Sequence, residues 1–177
     1  ISQGKPYPEP KDIEEMLMDE INGRIRAENV FRDKGDKLRA QVTINPSTIA
    51  DILIRLHHAV YIVEDIKKPK YGIVGVYCES GPNEGIYITD ERAITDLIRQ
   101  YRYNILSKDV SEVMFQLTAH APIVSMTRER DLVPVNNGIF YYKTKQLMPF
   151  SSSYIFTSKP DIFHDTHIEQ VIILCYI

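Results

Sequence analysis

The run "VPVNNGIFYYKTKQLMPF", Val133 to Phe150, constrains the fold of this chain more than any other stretch. Asn137-Gly138 supplies the positive φ that a tight reversal needs, so the chain turns between Val133–Val135 and Ile139–Tyr142. A second polar turn at Lys143-Thr144-Lys145 sends it back through Leu147 to Phe150. Two close reversals predict a small antiparallel meander with lysines at its tip.

The rest of the chain alternates between helical and β periods. "ISQGKPYPEP" carries three prolines and reads as a linker over residues 1–11. From Asp12, a plausible N-cap, Ile13, Met16, Leu17, Ile21 and Ile25 recur at helical spacing, and Gly23 weakens that helix without breaking its period. "RDKGDKLRAQ" reads as an exposed polar connection, so residues 12–44 form an N-terminal helix and its tether. Asn45-Pro46 opens a second helix with Ile49, Ile52, Leu53, Leu56 and Val60 on its apolar face. "YGIVGVYCES" and "EGIYITD" flank Gly81-Pro82-Asn83 as a hairpin. Thr89 or Asp90 caps a third helix bearing Ile94, Leu97, Ile98 and Tyr101. Ser107 caps a fourth, with Val110, Val113, Met114, Leu117 and Ala121 inward and Pro122 at its end. The expected class is α+β: a helix-rich single domain with small antiparallel β-hairpins and a meander, its strands arriving as hairpins rather than βαβ crossovers.

Composition narrows the function. With 177 residues and 44% hydrophobic content the chain can bury the core of one domain. Its net charge of −3 confines any nucleic-acid contact to a local patch. Cys78 and Cys175 stand far apart, which argues against a zinc ribbon or a disulfide scaffold and fits a reducing cytoplasm. No apolar run reaches membrane-spanning length, and no basic-then-apolar leader opens the chain. The start at Ile1 rather than Met leads to the expectation of a fragment of something longer.

Few residues carry the pattern of a catalytic site. No G-x-x-x-x-G-K-[ST] loop is present, and Gly72, Gly75, Gly81 and Gly85 fall on the hairpin, where they serve turns. "SSSY" lacks the turn that exposes a nucleophilic serine, and Cys78 sits on a strand as a small core residue. His57, His58 and His120 fall at helix C-termini and read as structural. The tail "DIFHDTHIE" gathers metal-ligand types: on a helix Asp161, His164 and His167 share one face, as a divalent-metal nuclease would need, whereas the plainer reading is a polar connection before a terminal strand. Basic residues are more suggestive. Arg92, Arg99 and Arg102 lie on the third helix, while Arg128, Arg130, Lys143, Lys145 and Lys159 flank or enter the meander. Tyr141, Tyr142, Phe150 and Tyr154 interleave with them as stacking platforms for a single strand. Glu91, Asp96, Glu129 and Asp131 dilute that field, and a solvated face with inward aromatics is the plainer alternative.

"LVPVNNGIFYYKTKQLMPFSSSYIFTSK" resembles a segment of phage and plasmid primase–helicase proteins, in the domain immediately upstream of their superfamily 3 (AAA+) helicase domain. "GIYITDERAITDLI" and "TIADILIRLHH" resemble that family's Gly-Ile-Tyr with its following helix and the helix before it. The resemblance spans roughly Thr48 to Lys159 and is specific over Leu132 to Lys159. Tyr141 stands where the family usually has an acidic residue and Ser152 where it has proline, and "PDIFHDTHIEQVIILCYI" is unlike the family's linker into the ATPase. The resemblance makes residues 45–159 an accessory domain and 160–177 a divergent tail. It implies a linker or collar role in replicating a mobile element in a prokaryotic cytoplasm, coupling or guiding DNA to the helicase ring without catalysis of its own. The implied partners are weakly bound single-stranded DNA, the helicase domain of the same protein, and like subunits of a full-length hexamer, with no membrane. ATP and Mg²⁺ would serve that helicase domain, and this chain would hold no cofactor. Lys143, Lys145, Arg128, Arg130, Arg99 and Arg102 are then the candidate nucleic-acid contacts. A stand-alone DNA-binding or regulatory remnant, the metal-dependent nuclease and a protein-interaction scaffold remain as alternatives.

Overall fold

The computed structural model describes residues 9–69 and 71–164. Its elements run α1 (Pro10–Asn29), α2 (Pro46–Leu56), β1 (Val60–Val63), β2 (Gly72–Tyr77), β3 (Tyr87–Ile88), α3 (Glu91–Tyr101), α4 (Ser107–His120), β4 (Ile123–Ser125), β5 (Leu132–Val135), β6 (Gly138–Tyr141) and β7 (Gln146–Met148). This is the helix-rich α+β pattern expected from the sequence. Two compact units share it, one reaching to Leu53 and resuming over Asp90–His120, the other holding Ile54–Thr89 and the chain from Ala121.

The first unit is helical. Its core gathers Ile44, Ile49, Leu53, Ile94, Ile98, Val113 and Leu117, each at most 2% exposed. α1 begins at Pro10, two residues before the expected Asp12 cap; Glu9 is the N-cap, and the Asp12 carboxylate accepts the Glu9 N–H at 3.3 Å from within the first turn. The helix runs through Gly23, and its stripe of Ile13, Leu17, Ile21 and Ile25 is only half-buried. Met16 lies outside that stripe, because four-residue steps drift around the helix and leave it on the exposed rim. α3 starts where the sequence placed it, with the Asp90 carboxylate accepting the Ala93 N–H at 2.8 Å. In α4, Ser107 is the first helical residue rather than the cap, and the Leu106 carbonyl accepts the first bonds from Asp109 and Val110.

The second unit holds every strand of the described residues. β3, β2, β1 and β4 form one sheet in that order, and β5, β6 and β7 form the expected meander. β1 is a correction to the sequence reading: α2 stops at Leu56, and Val60 opens a strand instead of extending the helix face. His58, at φ +48, breaks the helical run between them. A second correction concerns connectivity. β1 pairs antiparallel with β2 but parallel with β4, Tyr61 opposite Ile123 and Val63 opposite Ser125, so one crossover joins strands far apart in sequence. Val60, Ile62, Tyr77, Tyr87 and Ile155 form one core cluster here; Ile86, Leu132, Ile139 and Phe156 form another beneath the meander. No helix of the described residues is long and apolar enough to cross a membrane.

Candidate nucleic-acid interface

The meander is built by two different turns. β5 and β6 pair from Leu132–Tyr141 to Val135–Gly138, which leaves Asn136 and Asn137 as the loop. The positive φ belongs to Gly138, at +151, so the glycine opens β6 instead of occupying the turn centre. A side chain there would collide with the Met148 carbonyl of β7, which fixes glycine at that position. The asparagines have another task. The Asn136 amide donates to Asp161 Oδ1 at 2.7 Å, and its backbone N–H donates to the Ile162 carbonyl at 2.8 Å. Asn137 Nδ2 donates to the His164 carbonyl at 2.8 Å while its Oδ1 accepts the His164 N–H at 3.0 Å. The His164 ring stacks on Phe140 at 4.5 Å.

The second turn, Tyr142 to Lys145, forms the basic tip. Tyr142 N–H donates to the Asp131 carbonyl at 2.7 Å, tying the turn to the chain that enters β5. Lys143 Nζ lies 2.7 Å from Asp131 Oδ2, and that carboxylate's hydrogen bond and charge raise the lysine's pKa. Lys145 adopts φ +57, unusual for a side-chain-bearing residue, and sets its ammonium 3.4 Å above the centre of the Tyr142 ring. Tyr142 is 41% exposed, so one face is shared with lysine while the ring still meets solvent. Arg130, exposed, directly precedes Asp131. Lys143, Lys145 and Arg130 are thus brought to one end of the meander.

The other candidates are held elsewhere. Arg128 Nη2 donates to the Glu64 carbonyl at 2.6 Å beside β1. Arg99 pairs with Asp96 one turn earlier on α3, at 3.1 Å. Arg102 is 12% exposed; it pairs with Asp109 at 3.0 Å and donates to the Ile44 carbonyl at 3.3 Å, which makes it a fastener inside the helical unit. Lys159 donates to the Glu84 carbonyl at 2.7 Å and lies 5.2 Å from the Phe150 ring centre. Among the proposed stacking residues, Tyr154 stacks on Phe156 at 6.2 Å, and Tyr141 and Phe150 pack against the meander core. Tyr142 alone of these four is exposed.

Of the suggested metal set, Asp161 Oδ1 accepts from Asn136, whereas Asn137 holds only the backbone of His164, whose ring lies on Phe140 with its buried Nδ1 lacking a hydrogen-bond partner among the described residues. His167 lies outside the described residues. No group of three metal-ligating side chains occurs among the described residues. Sequence reasoning missed Asp131 as the partner of Lys143, since the two are twelve positions apart and meet only through the meander register. It also missed Asn22 and Asn29 of α1, whose seven-residue spacing was the available signal. No known protein-family model matches the chain, and no curated protein matches it significantly.

Proposed function

We propose that this chain is a non-catalytic accessory domain of a phage- or plasmid-type replicative primase–helicase, touching single-stranded DNA weakly through the tip of its meander. The observation that carries the DNA part is the turn Tyr142–Lys145, where the Lys145 ammonium lies over one exposed ring and the solvated Lys143 ammonium pairs with Asp131. Lysines contact phosphate without reading sequence, and an exposed aromatic accepts any base. Lys143 would exchange the Asp131 carboxylate for phosphate, which is easy for a solvated surface pair. The resemblance over Leu132 to Lys159 supports this reading, and the segment folds as the meander β5–β7. In such a protein the helicase domain, its ATP and Mg²⁺, and hexamer formation lie outside this chain, which would couple the priming module to the ring.

Fluorescence anisotropy with a labelled single-stranded oligonucleotide at two salt concentrations tests this reading. Weak binding at low salt is expected, falling steeply as salt rises. Replacing both Lys143 and Lys145 by alanine should flatten the log–log salt slope by about 1.4, at about 0.7 per lost phosphate contact on a single strand. Absence of binding at low salt would remove the DNA reading altogether. Unchanged affinity in the double variant would remove the tip.

A further inference from the structure

α1 carries Asn22 and Asn29 on one side, two turns apart, a separation of about 10.5 Å along the axis. Both side chains grip the same passing segment. Asn29 Nδ2 donates to the Leu38 carbonyl at 2.8 Å while its Oδ1 accepts the Leu38 N–H at 2.7 Å. Asn22 treats Gln41 identically, at 3.0 and 2.8 Å. Each amide thus stands in for the peptide group of a neighbouring strand, and the segment runs antiparallel to the helix.

The spacing on the gripped side is informative. A β-strand turns its backbone groups to opposite sides at every step, so residues three apart would face opposite ways. Polyproline II repeats every three residues and advances about 9 Å over that repeat, near the asparagine spacing. The two asparagines therefore select an extended chain of three-residue period. They read its main chain only: Leu38 is 39% exposed, and Val42 beyond it is 91% exposed.

Two more observations concern what belongs there. The side-chain Oε1 of Gln41 is buried with no hydrogen-bond donor among the described residues. Acidic residues outnumber basic ones two to one on α1, whereas residues 36–41 carry Lys37 and Arg39 around Leu38 against the one carboxylate of Asp36. The complementary charge steers a basic chain towards the helix.

We propose that the Asn22–Asn29 face of α1 is a docking site for an extended, basic peptide segment of a partner protein, and that residues 38–41 are its displaceable occupant in cis. Because recognition is through backbone groups, the partner is defined by an unbroken extended stretch with free N–H groups at two positions three apart, flanked by lysine or arginine.

The probe is a fluorescently labelled synthetic peptide of residues 36–43, titrated into the whole chain. In the Leu38→Pro/Gln41→Pro variant the resident segment keeps an extended conformation but lacks both donated N–H groups. That variant is expected to bind the peptide at least tenfold more tightly than wild type. Adding Asn22→Ala/Asn29→Ala should abolish binding. Equal affinities for wild type and the proline variant, or binding that survives loss of both asparagines, would overturn the proposal and leave the clamp a purely structural tether. Hydrogen exchange on the wild-type chain gives a second readout that no substitution can compromise. The Leu38 and Gln41 amides should exchange faster as millimolar peptide displaces the segment, and unchanged exchange would count against the proposal equally.

Discussion

Asn137 and His164 hold one another by two hydrogen bonds, the asparagine amide giving to the histidine carbonyl and receiving from its N–H. This pair turns a hairpin loop into an anchor for the chain that leaves the meander. Asn137→Ala should lower stability by about 1–2 kcal/mol, the net value of two such bonds in a partly exposed setting. Asn137→Asp keeps the acceptor but sets a carboxylate oxygen against the His164 carbonyl, so a loss at least as large as that of Asn137→Ala is expected. Urea denaturation reads the stability and hydrogen exchange at the His164 amide reads the anchor. Unchanged exchange in Asn137→Ala would remove the anchoring role.

Arg102 is a candidate DNA contact by sequence, yet its partly buried side chain is held by Asp109 and the Ile44 carbonyl. Arg102→Ala strands the Asp109 carboxylate and should cost about 2–3 kcal/mol, at or below the lower end for a buried pair because Asp109 keeps some solvent. A double-mutant cycle with Asp109→Asn should return a coupling of about 1 kcal/mol or more. Any DNA affinity should be unchanged once the comparison is made under folded conditions. A variant as stable as wild type would show the pair to be idle.

Gly85 sits at φ +85 directly beneath the Phe150 ring. Gly85→Ala meets two costs, about 1–2 kcal/mol for the left-handed backbone and about 1–3 kcal/mol for displacing the ring. Phe150→Leu introduced into Gly85→Ala should recover part of the second cost and none of the first. If the single variant melts within a degree of wild type, the ring moves freely and the close fit has no energetic weight.

His57 titrates below its ordinary value of 6.5, chiefly because burial disfavours the charged ring, with nearby His58 adding to the shift and Glu79 opposing it. On acidification the unfolded chain takes up the proton before the folded one does. The contribution to stability is therefore complete above the unfolded value and is lost as pH falls through the lowered folded value. Urea midpoints measured from pH 8 to pH 5 should fall more steeply for wild type than for His57→Gln. Parallel curves would show that His57 plays no part in the acid response.

Local signals were enough for the elements whose cause is local. Asp90 before an apolar helical stripe, Pro46 at a helix start, and the two polar turns of the meander all act within a few residues; each appears near where the sequence places it, the first turn shifted by one residue to Asn136–Asn137. Val60 shows where such reading stops. Its spacing from Leu56 suits a helix, yet its pairing with Gly75, in a strand whose other edge takes up β4 from Tyr61 on, makes a strand the better use of a buried valine.

The sequence alone therefore determined the helix-rich α+β class, the meander and the basic character of its tip, because periodicity and turn chemistry are properties of neighbouring residues. Tertiary structure decided which cations stay on the surface and which become fasteners. It placed Asp131 against Lys143, Asp109 against Arg102 and the Asn22–Asn29 pair along a passing backbone. The reason is physical: a charge or an amide has no role until chain closure brings its partner within hydrogen-bond distance, and that closure is set by the burial of distant apolar residues.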